Sequence, residues 1–297
     1  MRLSQVRDFL AVVDAGSISA AARLLGASQP GLTKSIGSLE AELNVALLQR
    51  SARGVSLTRF GRAFYERARA AHTELQKATD EVAQLAGGMS GRVSVGFGPL
   101  AAALVLPPAV LKFQAQFPEV EVRLLEGFAH AIMPLVRNQT IDMALGPRLP
   151  GYRPDAALKF RPIFSNEQII IARQGHPLAR ARSARELARA HWLSFEPRPV
   201  VDRVLTGLGL ATAHRLTQCE SLNVLVEILA TSDMLAVTSS RILALPAAGG
   251  LLQQIAIAER VPPMTTGLYV VADTPLTKPA AAMARLLVEI GRQLPPA

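Results

Sequence analysis

Between Ser17 and Leu43 the chain reads SISAAARLLGASQPGLTKSIGSLEAEL, two helical patterns separated by Ala27-Ser28-Gln29-Pro30-Gly31. Gly26 is placed to end the first helix in a left-handed conformation that other residues resist. Ser28 is placed to open the second by accepting from its free amides. Pro30 falls in the first turn, where a missing N–H leaves no helix bond unmade. Leu32, Ile36, Leu39 and Leu43 then step by four, three and four, a stripe that predicts a helix packed along one face. Two helices joined by so short a turn predict a helix-turn-helix. With the stripe inward, Gln29, Thr33, Lys34 and Gly37 share an outward strip beginning at the helix N-terminus. That is the end such a unit presents to base edges and phosphates. Glutamine pairs bidentately with adenine, and lysine suits guanine or a phosphate.

The flanking residues fit the same unit. Val6, Phe9, Leu10 and Val13 predict a first amphipathic helix ended by Gly16, and Ala20, Ala21, Leu24 and Leu25 give the apolar face of the second. RSARGVSLT, from Arg50 to Thr58, alternates like a hairpin around Gly54 and puts Arg50 and Arg53 on a wing. Thr58 is placed to cap a helix free of proline to Ala86. Its seam is Phe60, Phe64, Ala68, Ala71, Leu75, Val82 and Leu85. At helical rise this is a rod of roughly 40 Å, and a seam that long calls for a partner. Gly87-Gly88-Met89-Ser90-Gly91 then makes a joint. The net charge of +9 suits a polyanion such as nucleic acid.

Beyond Gly91 the texture changes to strands alternating with helices. RVSVGFG, VEVRLLEG, IDMALG, EQIIIAR, WLSFEP, LAVTSS and TGLYVVAD read as strands; Val110–Gln116, Ser183–Ala190 and Leu222–Ala230 read as helices. This predicts an α/β domain with mainly parallel sheets. No charge occurs from Val93 to Leu111, yet Gly96, Gly98, Pro99, Pro107 and Pro108 interrupt the run, which therefore reads as strand, turn and helix and not as a membrane span. The apolar run Phe9–Val13 is too short for a secretory core, so the expected compartment is the cytoplasm, without membrane attachment.

Catalytic chemistry finds little footing. Cys219 is the single cysteine and reads as a small packing residue. His72, His130, His176, His191 and His214 have no ligand-type spacing. No catalytic residue, metal or cofactor is assigned, and the chain is read as no enzyme. The rival is Gly96-Phe97-Gly98-Pro99-Leu100-Ala101, which fits a G-x-G-x-x-A dinucleotide pattern with Glu126 as the ribose acid. Pro99 removes an amide from that phosphate cradle, and Pro107-Pro108 cut the helix that should follow. The alternative it leaves is a helix-turn-helix protein with a degenerate nucleotide-binding or enzymatic α/β domain. A purely structural DNA binder leaves the α/β half without a task.

The stretch FLAVVDAGSISAAARLLGASQPGLTKSIGSLEAELNVALLQRSARGVSLTRFG closely resembles the N-terminal signature of LysR-type transcriptional regulators. The similarity continues through FPEVEVRLLEG, TIDMALG and QGHPLA. It implies an α + α/β fold: an N-terminal winged helix-turn-helix (1–58), a long linker and dimerisation helix (59–87), and a C-terminal periplasmic-binding-protein-like effector domain (92–297). The last has two α/β subdomains, I at about 92–162 and 267–297 and II at about 163–266. The implied partners are double-stranded operator DNA, a small organic effector, a second copy in a homodimer or homotetramer, and RNA polymerase. Ser28, Gln29, Pro30, Thr33, Lys34, Arg50 and Arg53 are then expected at the DNA. In α/β sheets ligands bind beyond the carboxyl ends of strands. Those ends are Phe97-Gly98-Pro99-Leu100, Gly127-Phe128-Ala129-His130 and Gly146-Pro147-Arg148, faced by Phe195-Glu196-Pro197-Arg198. The resemblance puts an inducer there, commonly a small carboxylate or aromatic acid. Pro99 and Leu100 stand where a hydroxyl residue often holds that carboxylate, so Phe97, Leu100 and Phe128 are expected to form an apolar wall. Arg148, Arg198 or His130 would supply the positive charge.

Overall fold

Val6, Phe9 and Leu10 bury one face of helix α1 (Leu3–Ala15), which Gly16 ends at φ 68°. The computed structural model describes residues 1–51, 54–85, 91–148, 156–211 and 215–295. It divides into two compact units, Met1–Gly88 with Asn138–Thr140, and Met89–Arg137 with Ile141–Ala297.

In the first unit, Ser17 caps helix α2 (Ile18–Leu25), its hydroxyl accepting from the Ala20 amide at 3.1 Å. Gly26 closes α2 at φ 61°, and Ser28 caps helix α3 (Gln29–Leu43) by accepting from the Gly31 amide at 3.2 Å. Leu32, Ile36 and Leu39 are buried as the stripe requires, but its fourth member, Leu43 in the last turn before the Asn44 cap, is 36% exposed. The buried face of α2 is Ile18, Ala21 and Ala22, whereas Leu24, expected there, is 76% exposed. Positions three, four and seven after Ile18 share a face, and Leu24 falls between them.

Strands β1 (Leu48–Ser51) and β2 (Gly54–Leu57) form the antiparallel wing. The Glu40 carboxylate of α3 accepts from the Leu47 and Leu48 amides at 2.7 and 3.0 Å, tying the wing to that helix. The Thr58 hydroxyl donates to the Ala46 carbonyl and accepts from the Gly61 amide, capping helix α4 (Arg59–Leu85). A Cβ on Gly61 would stand 1.9 Å from the Leu47 carbonyl oxygen, so only glycine lets α4 start against the wing. Phe64 and Ala68 of α4 pack into the three-helix core, and the Phe64 ring meets Phe9 edge-on at 5.4 Å. Further along, Leu75 and Val82 are 45% and 67% exposed. The Leu85 side chain lies outside the described residues.

The second unit holds two five-stranded sheets. The first contains β3 (Gly91–Phe97), β4 (Val120–Glu126), β5 (Met143–Pro147) and β6 (Leu158–Asn166). The chain then passes through Glu167 into β7 (Gln168–Arg173) of the second sheet, with β8 (His191–Ser194), β9 (Arg215–Gln218), β10 (Met234–Ser239) and β11 (Leu252–Ile255). It returns as β12 (Met264–Val271) between β5 and β6. Helices α5 (Pro99–Leu104), α6 (Leu106–Gln116), α7 (Ala129–Arg137) and α10 (Lys278–Arg292) flank the first sheet; α8 (Arg198–Gly207) and α9 (Leu222–Thr231) flank the second.

The expectation of mainly parallel sheets needs correction. β4-β3-β5 and β9-β8-β10 are parallel, but β12 runs against β5 and β6, and β7 against β10 and β11. Strands β6 and β7 follow one another with no crossover helix to reverse the chain, so the connecting strands enter their sheets antiparallel. Ser183–Ala190, expected as a helix, makes only a short 3₁₀ turn at Ala184–Leu187. The uncharged stretch Val93–Leu111 resolves into β3, α5 and the start of α6. Among the described residues no helix is long and apolar enough to cross a membrane.

Candidate recognition surface and ligand cavity

The capped start of α3 leaves its first turn on the outside. Ser28, Gln29, Pro30, Lys34 and Gly37 are exposed and Thr33 is half-buried, while Leu32 and Ile36 behind them are 2% and 0% exposed. The Gln29 amide oxygen accepts from the Ser19 hydroxyl of α2 at 3.2 Å, which steers the side chain at the turn. Beneath this face the buried Asp8 accepts from the Ser35 hydroxyl at 2.7 Å and from Arg7 at 2.9 Å, pinning α3 to α1. Sequence reasoning missed Asp8 and Glu40 as positioning groups. The signal for Asp8 was its place between Val6 and Phe9, on a face otherwise apolar. The backbone of Arg50 pairs with Val55 in the wing; its side chain, and Arg53 entirely, lie outside the described residues.

The strand ends of the second unit converge on a cavity of about 930 Å³, its open mouth included. Phe97 ends β3 and Gly98 and Pro99 follow it, Gly127 and Phe128 follow β4, and Gly146 and Pro147 close β5. From the other sheet come Ser194 at the end of β8, Phe195 and Glu196 after it, and Val237–Ser239 of β10. The connecting strands add Asn166, Gln168, Met264 and Thr266. Phe128 and Phe195 stack across the cavity, centroids 5.5 Å apart and planes at 28°. Asn166 is fully engaged: its amide donates to the Thr266 hydroxyl at 3.0 Å, and its oxygen accepts from Arg241 at 3.1 Å. Burial alone pushes the Glu196 carboxyl up to about 7, because a desolvated acid resists ionisation.

The structure thus brings Phe97, Gly98, Pro99 and Phe128 together, but His130, Arg148 and Arg198 are not among the lining residues. Arg148 lies over the Phe160 ring at 5.7 Å, Arg198 faces Asp202 at 3.5 Å, and His130 faces Glu220 at 3.5 Å. For Leu100 only the helical backbone is described. Sequence reasoning did not find Asn166, Gln168, Thr238 or Thr266, since connecting strands carry no loop signal. Gly96, the first glycine of the G-x-G-x-x-A stretch, makes room for packing: a Cβ there would stand 2.6 Å from Ile132 and 2.7 Å from Ile141. The helix that opens at Pro99 ends at Leu104.

Two family models cover the chain. The model described as "LysR substrate binding domain" matches residues 86–292, and that described as "Bacterial regulatory helix-turn-helix protein, lysR family" matches residues 3–62. The chain is 27% identical to the HTH-type transcriptional regulator PcaQ of Agrobacterium fabrum, over 99% of its own length and 96% of that protein's. Among solved structures, full-length OxyR from Pseudomonas aeruginosa has the same fold, with a TM-score of 0.71 at 20% identity, covering 99% of this chain and 95% of that one. Full-length CbnR complexed with its target DNA gives a TM-score of 0.66 at 20% identity, over 98% of this chain and 100% of that one.

Proposed function

Because this chain belongs to the LysR family of bacterial transcriptional regulators, we propose that it reads its operator with the start of α3 and a small organic effector in the cavity between its two sheets. The chain is a DNA-binding regulator with a winged helix-turn-helix and an effector-binding domain. Ser28, Gln29, Pro30, Thr33 and Lys34 are the contacts assigned to α3, with Arg50 and Arg53 on the wing. The exposed stretch of α4 around Leu75 and Val82 is the assigned seam of a homodimer or homotetramer, matching the two half-sites such a reader spans. Residues 1–58, 59–87 and 92–297 then divide the labour as reader, linker and sensor. Phe97, Gly98, Pro99, Leu100 and Phe128 form the effector wall.

The observation that carries this reading is the exposed polar strip at the capped start of α3, backed by the buried Leu32, Ile36 and Leu39. Binding sites selected from a random duplex pool test it by fluorescence anisotropy at two salt concentrations. Gln29→Ala relaxes discrimination at one base pair by about 1–3 kcal/mol. Lys34→Ala weakens every sequence alike and flattens the salt dependence by roughly one counterion. Two variants that bind like the parent protein would sink the assignment.

A further inference from the structure

The cavity has one ionisable lining residue among those described, and it is an acid. Glu196 follows β8, its amide donating to the Ser194 hydroxyl at 2.9 Å and its carbonyl accepting from Gln218 at 3.2 Å. These bonds fix the backbone and leave the carboxylate without a hydrogen bond or ion pair among the described residues. No lysine, arginine or histidine lines the cavity with it. The basic side chain that shares a lining with Glu196 is Arg203, exposed on α8, in the adjoining cavity. The remaining surface is largely apolar, and three phenylalanines contribute to it: Phe97, Phe128 and Phe195.

An anionic ligand would meet no cation among the described lining residues, and a carboxyl whose ionisation can only add negative charge beside it. A neutral ligand would use the aromatic walls but could offer the carboxylate at most an uncharged donor, without the charge assistance that offsets its desolvation. An ammonium group answers both features, because π faces attract a cation and a carboxylate accepts its N–H bonds with charge assistance. We infer that the effector is an organic amine, its ammonium held by Glu196 and its apolar body lying among Phe97, Phe128 and Phe195. This rests on reading the cavity as the effector site and reverses the sign of ligand that the family resemblance implies.

Calorimetry on the full chain with three probes of one skeleton, phenethylamine, 2-phenylethanol and phenylacetate, tests the sign directly. Phenethylamine binds at least about tenfold more tightly than the alcohol, and phenylacetate binds weakest. Glu196→Gln, nearly isosteric, brings the amine down to the level of the alcohol, whose own binding changes by much less than the amine's. Gly98→Phe, built where a Cβ meets nothing within 4 Å, fills the cavity and weakens every probe. Phenylacetate binding as tightly as the amine, an amine preference that survives Glu196→Gln, or no amine binding at millimolar concentration each overturns the amine class. If probe binding of any sign is lost in Gly98→Phe, the cavity stands as the effector site even where the amine falls. Binding that ignores Gly98→Phe overturns the cavity reading itself.

Discussion

The start of α3 holds the side chains assigned to it in water, and the cavity of the second unit holds its lining between two sheets. On α3 the assigned contacts run from Ser28 to Lys34, neighbours in sequence, and most are exposed. In the cavity they come from Phe97 to Thr266 and meet only through the sheets. Ser28 apart, which caps the helix, an exposed polar side chain contributes little to the fold until a partner arrives. A polar side chain in the cavity already acts on stability, since it has lost water and depends on whatever the protein offers in return. The first kind of site is free to change with its operator; the second is tied to the folding of its own walls.

The largest expected effect lies at Asn166. Asn166→Leu leaves the Thr266 hydroxyl and the Arg241 Nε without the partner they now share, although Arg241 keeps its bond to the Pro295 carbonyl, and should destabilise the chain by about 1–3 kcal/mol in urea unfolding. A loss no larger than that of a surface substitution would erase the contrast between the two sites.

Glu196 sharpens the contrast through pH. Its carboxyl is raised from 4.5 to about 7 in the folded chain. Between those values the unfolded chain releases a proton that the folded chain keeps, so this group makes stability fall as pH rises through the window. Below pH 4.5 both states are protonated and the effect vanishes. Glu196→Gln should therefore match the parent at pH 4 and exceed it at pH 8 by about 1–2 kcal/mol, the full shift being reduced by partial solvent exposure. Urea titrations at the two pH values read this out; an equal gain at both would mean that packing, not ionisation, is responsible.

The smallest effect belongs to the exterior. Leu24 stands 76% exposed on α2, so Leu24→Gln should shift the urea midpoint by less than about 0.5 kcal/mol of stability. A shift comparable to that at Asn166 would return Leu24 to the core face that its neighbours Ala20, Ala21 and Leu25 suggest.

The same contrast explains what could be read from sequence. Caps at Ser28 and Gly26, the stripe behind α3, the hairpin and the Thr58 cap are all local, and local signals survive without a fold. Helix α10 escaped because Ala280, Met283, Leu286, Leu287 and Ile290 are joined by Ala282, Ala284 and Val288 in being buried, so no single stripe marks a period. Strand β6 carries Pro162 and an irregular burial pattern, both of which argue against a strand. β9 and β11 span four residues each, too few to show alternation. The cavity walls at Phe97 and Phe128 were legible as strand ends. Asn166 and Thr266, adjacent in space and 100 residues apart in the chain, were not.

The two sheets are joined twice, once through Asn166–Glu167–Gln168 and once by the segment between Ile255 and Met264. A panel hung on two pins swings about the line between them and resists twist and slide. Asn166, Gln168, Met264 and Thr266 border the cavity and lie on or beside those pins. A ligand in that cavity would therefore touch the axle as well as the two leaves of the door, where a small displacement becomes a large swing at the far edge.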